Sequence, residues 1–202
     1  LDQKANNFLA AAIVDGETAG LAYVDITTSE FSTCQLPLAE LLVELARLSP
    51  SELLVPETSE PLLVEVATTI TEILPDAFQS AWARESLMDH FGVTSLEAFG
   101  CEKLPLAIRA AGAVVDYLAR TQKGSVAQIT TLSTYSTADH MVLDPQTRRN
   151  LELYEGGRWA AVNASLFSVL DQTKTPMGGR LLRRWLGQPL LDVSDLVKRQ
   201  DA

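Results

Sequence analysis

FLAAAIVDG (Phe8–Gly16) decides the fold. The apolar run is far too short to cross a bilayer, and Asp15-Gly16 behind it is a hairpin turn signal, so the stretch reads as a buried strand entering a tight turn. Leu21 to Ile26 (LAYVDI) and Glu30 to Leu36 (EFSTCQL) follow as the second and third strands of a β-meander. The rhythm then changes. Leu38, Leu41, Leu42, Leu45 and Leu48 recur at steps of three and four, one apolar helical stripe that Ser49-Pro50 ends. Glu52 to Val55 reads as a short buried strand. Pro61 stands where helices start, and Leu62, Leu63, Val66, Ile70 and Ile73 give a second stripe that Pro75 stops. Ala77 to Trp82 reads as a fifth strand.

Three antiparallel strands followed by α/β crossovers give the order β-β-β-α-β-α-β, the connectivity of a ribonuclease-H-like mixed sheet with helices on its faces. Arg84 to Phe91 extends this unit as a short helix ending at Gly92, and Thr94 with Glu97 forms a capping box for a brief helix ending at Gly100. Leu104, Ala107, Ile108, Ala111, Val114, Val115 and Leu118 mark a longer helix to about Gln122, and Gly124-Ser125 closes the unit. Domain boundaries are therefore expected at 1–128 and 129–202. The second region opens with a Ser/Thr-rich stretch and a brief extended segment, Ala138 to Leu143. Asp144-Pro145 and Thr175-Pro176 then start helices, Asp or Thr as N-cap and Pro as first helical residue. Met177, Leu181, Leu182, Trp185 and Leu186 line the second of these as far as Pro189, and a last helix begins near Asp192. Such a region is nearly all helical, with too few residues to close a core of its own.

Composition excludes several classes. Hydrophobic residues at 47% and charged residues at 21% are globular values, so a disordered or collagen-like chain is ruled out. A formal charge of −10 is the wrong sign for broad grip on phosphate backbones. That charge is concentrated in residues 1–128, whose seven basic and eighteen acidic side chains contrast with nine and eight in 129–202. Cys34 and Cys101 lack any C-x-x-C spacing, which argues against zinc and for a reduced, cytoplasmic protein without a membrane span. The chain opens at Leu1 without Met or leader and reads as a piece of a longer protein.

Enzyme signatures are absent. There is no G-x-x-x-x-G-K-[ST] phosphate loop, and Gly178-Gly179-Arg180 follows no strand. His90 and His140 lie in separate regions with no nucleophile pattern. The alternative activity is a metal-dependent nuclease, which needs carboxylates converging from strand ends and a helix. Asp15 in the turn, Asp25 on the second strand and Glu40 on a helix are the candidates, and their spacing suggests no cluster. Arg148, Arg149, Lys174, Arg180, Arg183 and Arg184 could meet phosphate, but without interleaved aromatics they read as cations paired with carboxylates between packed helices.

Two long motifs carry a resemblance. Leu143 to Leu153 (LDPQTRRNLEL) and Ser165 to Leu186 (SLFSVLDQTKTPMGGRLLRRWL), with Gln188-Pro189-Leu190 and Arg199-Gln200 downstream, resemble the start of the core (lever) domain of the MutS family of DNA mismatch-repair proteins. Residues 1–128 resemble that family's connector domain, which is ribonuclease-H-like and non-catalytic. Phe91-Gly92, Phe99-Gly100, Ala110-Ala111-Gly112 through Tyr117, and Thr121-Gln122 carry the match. The family's Phe-x-Glu mismatch wedge is missing, since the six Phe are followed two residues on by Ala10, Thr33, Ser80, Val93, Cys101 and Val169. The resemblance implies a fragment with no catalytic, cofactor or metal residues, the ATP and Mg²⁺ of the full-length family being bound elsewhere. It implies coupling between mismatch-binding and ATPase regions, with the remaining MutS domains as partners. Mismatched DNA and dimerisation belong to the full-length protein. It also implies docking of MutL on a surface that includes Arg84, Glu85, Ser86 and Leu87, where Glu85 and Ser86 replace a Gln pair of some relatives.

Overall fold

The computed structural model describes residues 7–57, 69–122, 126–156 and 164–201, which divide into two compact units, one of residues 7–136 and one of the described residues from Thr137 onward. In the first, β1 (Phe8–Asp15), β2 (Thr18–Asp25) and β3 (Glu30–Pro37) form the expected antiparallel meander. Gly16 sits in the β1–β2 turn at φ 58°, a conformation glycine adopts without steric cost. β4 (Glu52–Pro56) pairs parallel to β1 and β5 (Thr69–Ile73) parallel to β4, while β6 (Ser133–Thr134) adds parallel to β3. The result is a six-stranded mixed sheet in the order β5-β4-β1-β2-β3-β6.

Strand β1 explains why an unbroken apolar run was needed. Successive side chains leave a strand on opposite faces, and both faces here are covered. Leu9, Ala11 and Ile13 enter a core shared with α2 (Ser80–Phe91) and α3 (Pro105–Thr121). Phe8, Ala10 and Ala12 enter a second core roofed by Leu41, Leu45 and Leu48 of α1 (Leu38–Leu48).

Three expectations are corrected. Ile70 and Ile73 belong to strand β5, not to a helix, and pack into opposite cores, as an odd spacing requires of a strand. The part of that expected helix around Pro61 to Val66 lies outside the described residues. Ala77 to Trp82 is not a strand. Pro75–Phe78 is a 3₁₀ turn that buries Ala77 and Phe78, and α2 starts at Ser80. Thr94 caps nothing; Glu97–Phe99 is a single 3₁₀ turn whose Glu97 N–H donates to Ser95 Oγ at 3.2 Å. Strand β6 was not anticipated within the Ser/Thr-rich stretch.

The second unit is helical: α4 (Pro145–Asn150), α5 (Leu166–Leu170), α6 (Pro176–Gly187) and α7 (Val193–Gln200). Asp144 and Thr175 are the N-caps expected, accepting from the Thr147 N–H at 2.8 Å and the Gly178 N–H at 3.1 Å. The segment before α4 is less extended than expected, with a 3₁₀ turn at Thr137–Asp139 and one bridge, His140 to Leu190.

Candidate docking surface

Helix α2 positions the four residues of the expected docking run, and helical geometry sends them in different directions. Its inner face is fixed by Ala83 and Leu87, both fully buried in the core with α3. The two helices approach so closely that a Cβ at Gly112 of α3 would lie 2.5 Å from the Ala83 Cα, so only glycine fits there. Leu87 is therefore a packing residue. Arg84 turns sideways to Glu102, which takes both guanidinium nitrogens: Nη1 donates to Oε2 at 3.0 Å and Nη2 to Oε1. The same carboxylate accepts the Leu96 N–H at 2.9 Å, tying α2 to the loop ahead of α3.

Glu85 and Ser86 remain on the outer side. They line a groove of about 480 Å³ together with Trp82, Asp89 and His90 of α2, Val115 and Ala119 of α3, and Val126. Trp82 is 49% exposed. The ring of His90 is held at the edge of this groove because Nε2–H donates to the Ile129 carbonyl at 2.8 Å. Trp82 was missed because it was read as the end of a strand, and Asp89 because a linear run of four was read where a helix presents positions three and four apart.

Among the described residues, the carboxylates singled out for a nuclease do not come together. Asp15 and Asp25 sit at opposite ends of the β1–β2 ladder, paired with Thr18 and Phe8, which at ~3.3 Å per residue puts them roughly 20 Å apart. Asp25 is buried and caps its own turn, accepting from Thr27 N–H at 2.9 Å and Thr27 Oγ1 at 2.6 Å. Among the described residues no three His, Cys, Asp or Glu side chains are placed to hold a metal ion, and the nuclease alternative finds no support. No helix among them is long and apolar enough to cross a membrane. Both thiols are buried and free. Burial pushes Cys34 up to about 12, and it also raises Cys101.

Buried polar groups cluster instead on the α1 side of the sheet. Glu44 Oε1 accepts from Arg47 Nη2 and from the Tyr135 hydroxyl, both at 2.7 Å. Burial opposes the charge on Arg47, but the hydrogen bonds to Glu44 outweigh it and the guanidinium stays ionised. This pair fastens the end of β6 to α1.

In the helical unit, aromatic rings and backbone carbonyls hold several of the arginines. Arg183 lies 4.4 Å from the ring centroid of Tyr154 and 5.5 Å from that of Phe167, and Arg199 lies 5.2 Å from Trp185. Arg148 donates to the Leu143 carbonyl at 2.8 Å and the Gly187 carbonyl at 3.3 Å. Aromatic partners do exist for Arg183 and Arg199, but they come from other segments of the chain, which linear spacing conceals.

Comparison with known sequences fits this arrangement. The sequence pattern of MutS domain II matches residues 7–130, and that of MutS domain III matches residues 146–202. The chain belongs to the MutS family. It is 46% identical over 203 residues to the DNA mismatch repair protein MutS of Dehalococcoides mccartyi (strain CBDB1), covering 100% of the chain and 24% of that protein. It is likewise 46% identical over 218 residues to MutS of Thermosynechococcus vestitus, and 45% identical over 219 residues to MutS of Synechococcus elongatus, covering 25% of each. The chain thus spans about a quarter of the length of the curated relatives it matches. Its mixed sheet corresponds to MutS domain II and its helical unit to the matched part of MutS domain III.

Proposed function

We propose that these residues do the mechanical and docking work of a MutS protein. The sheet unit acts as connector and the helical unit as the opening of the core, passing changes of orientation between a mismatch-binding region and an ATPase region held by the rest of a full-length, cytoplasmic, dimeric protein. Mismatched DNA, ATP and Mg²⁺ are bound by those other regions, and this part contributes no catalytic group. The observation that carries the reading is whole-chain identity of 46% to mismatch-repair MutS proteins, spread over both units.

The sheet suits such a role. A mixed sheet buried on both faces moves as one body, which is what a coupling element between two placements of packed domains requires. The docking half assigns MutL to the surface around Arg84, Glu85, Ser86 and Leu87. Glu85 and Ser86 are its contact positions, Arg84 fixes the helix through Glu102, and Leu87 anchors it to the core. Titration of full-length protein, loaded with mismatched DNA and ATP, with MutL tests this. Ser86→Arg is expected to abolish MutL binding while mismatch affinity and ATP turnover persist. Undiminished binding by Ser86→Arg would remove the docking surface from α2.

A further inference from the structure

The α2–α3 groove carries more information than the four-residue run that led to it. Glu85 and Asp89 stand four residues apart on one helical face, an arrangement in which like charges repel and weaken an isolated helix. Neither carboxylate has a hydrogen bond or ion pair among the described residues, whereas Arg84, one position away, is fully engaged by Glu102. Trp82, one turn before Glu85 on the same face, is about half exposed and lines the groove with Val115 and Ala119. A half-exposed tryptophan beside apolar side chains is the composition of an interface anchor. Residues 1–128 carry seven cationic against eighteen anionic side chains, so the field around the groove attracts cations and repels nucleic-acid phosphates.

Resting on the docking reading above, we infer that this groove accepts a basic protein segment of the partner. A Lys or Arg side chain of that segment lies against the Trp82 indole, its cationic head between the Glu85 and Asp89 carboxylates. The aromatic face attracts the cation and covers its aliphatic stem, and the two acids are relieved of mutual repulsion by the same charge. Ser86, between them on the groove wall, supplies a hydroxyl to the same head or to the segment's backbone. Electrostatic complementarity of this kind sets association rate and salt sensitivity as well as affinity.

The test measures MutL affinity of the full-length protein across a salt series starting near ~50 mM, where exposed charges are weakly screened. Three variants accompany Ser86→Arg. Glu85→Gln with Asp89→Asn removes two charges without changing shape. Glu17→Gln with Glu97→Gln removes two exposed charges elsewhere on the same unit, and Trp82→Ala removes the anchor. The groove pair is expected to bind about tenfold more weakly at low salt, with a flattened salt dependence, and the distant pair is expected to bind within about twofold of the parent. Trp82→Ala is expected to lose at least about tenfold at every salt concentration, with an unchanged melting curve. If Ser86→Arg abolishes binding but the groove pair binds like the parent, or more tightly, the docking reading stands and the basic segment is overturned. Equal losses in the distant pair would also overturn it, by making net charge rather than the groove responsible. If Ser86→Arg binds normally, the docking reading fails and takes this inference with it.

Discussion

The two units solve the same problem by different means. In the sheet unit, helices α1, α2 and α3 begin after Pro37, Gln79 and Leu104 with no side-chain cap at all. In the helical unit each helix among the described residues begins with one: Asp144, Ser165, Thr175 and Asp192 accept backbone N–H groups of their first turns. Burial separates them. The sheet unit packs two cores, whereas Leu143 and Leu153 are the buried apolar side chains among the helical unit's described residues. Met177 is 72% exposed, Val193 71% and Val169 71%. A short helix is marginal unless tertiary packing or capping compensates for its nucleation cost, so helices seated on a sheet can omit caps that exposed helices need. The rigid half is stabilised through its interior, and the other half through its helix ends.

The largest expected effect tests the tightness of the sheet unit. With Cys34 raised to about 12 from 9.0, its thiolate at pH 8 is roughly a thousandfold scarcer than in an exposed cysteine. Thiol reagents should leave Cys34 untouched at pH 8 in native protein and modify it promptly in urea. Prompt native labelling would mean that the α1-side core opens far more readily than its burial implies. Matched truncations come next. Leu87→Ala, in a fully buried site, should cost about 2–5 kcal/mol by urea denaturation, and Leu181→Ala, 46% exposed on α6, less than about 1 kcal/mol. Comparable losses at the two sites would erase the contrast between the units. Gly112→Ala should cost about 1–3 kcal/mol, because the added Cβ forces α3 off the Ala83 backbone.

How much of this was legible in the sequence follows from the same contrast. The meander, α1 and α3 were readable because each has a one-sided or unbroken apolar pattern and a definite turn or proline boundary. The caps at Asp144 and Thr175 were readable because capping is local chemistry. Strand β5 was not, since Ile70 and Ile73 fit a helical step of three as well as a strand with both faces covered, and pairing with β4 decides between them. Strand β6 is two residues long and exists only through its pairing with β3. The run Arg84 to Leu87 was legible as helix, but not which of its side chains face outward. Leu87 faces the core, and Arg84 answers to Glu102, eighteen residues away, a partner that no local pattern indicates. Tyr154 and Phe167 beneath Arg183 were hidden for the same reason.

The smallest effect distinguishes the two strategies most directly, because it acts on helix ends alone. Thr175→Ala should weaken α6 by about 0.5–2 kcal/mol, read as faster amide exchange at Gly178. Acid should do the same to α4 and α7. Hydrogen bonds from the Thr147 backbone and hydroxyl hold the Asp144 carboxyl below its ordinary 3.8, and bonds from the Ser194 hydroxyl and the Asp195 and Ser194 backbone do so for Asp192. A carboxyl depressed in the folded state contributes stability that is present above 3.8 and is lost as pH falls through the lower folded value. Below that window the protonated side chain no longer attracts the first-turn N–H groups as a charge, so the helix starts fray. The α1, α2 and α3 N-termini have no capping carboxylate to protonate and should not respond in this window. An amide-exchange titration from pH 5 to pH 2 reads both at once. Protection at Thr147 and Ser194 should fall first, while protection in β1 and α3 persists. Loss of the sheet amides together with the capped ones would mean that the two units unfold as one and that the caps carry no separate stability.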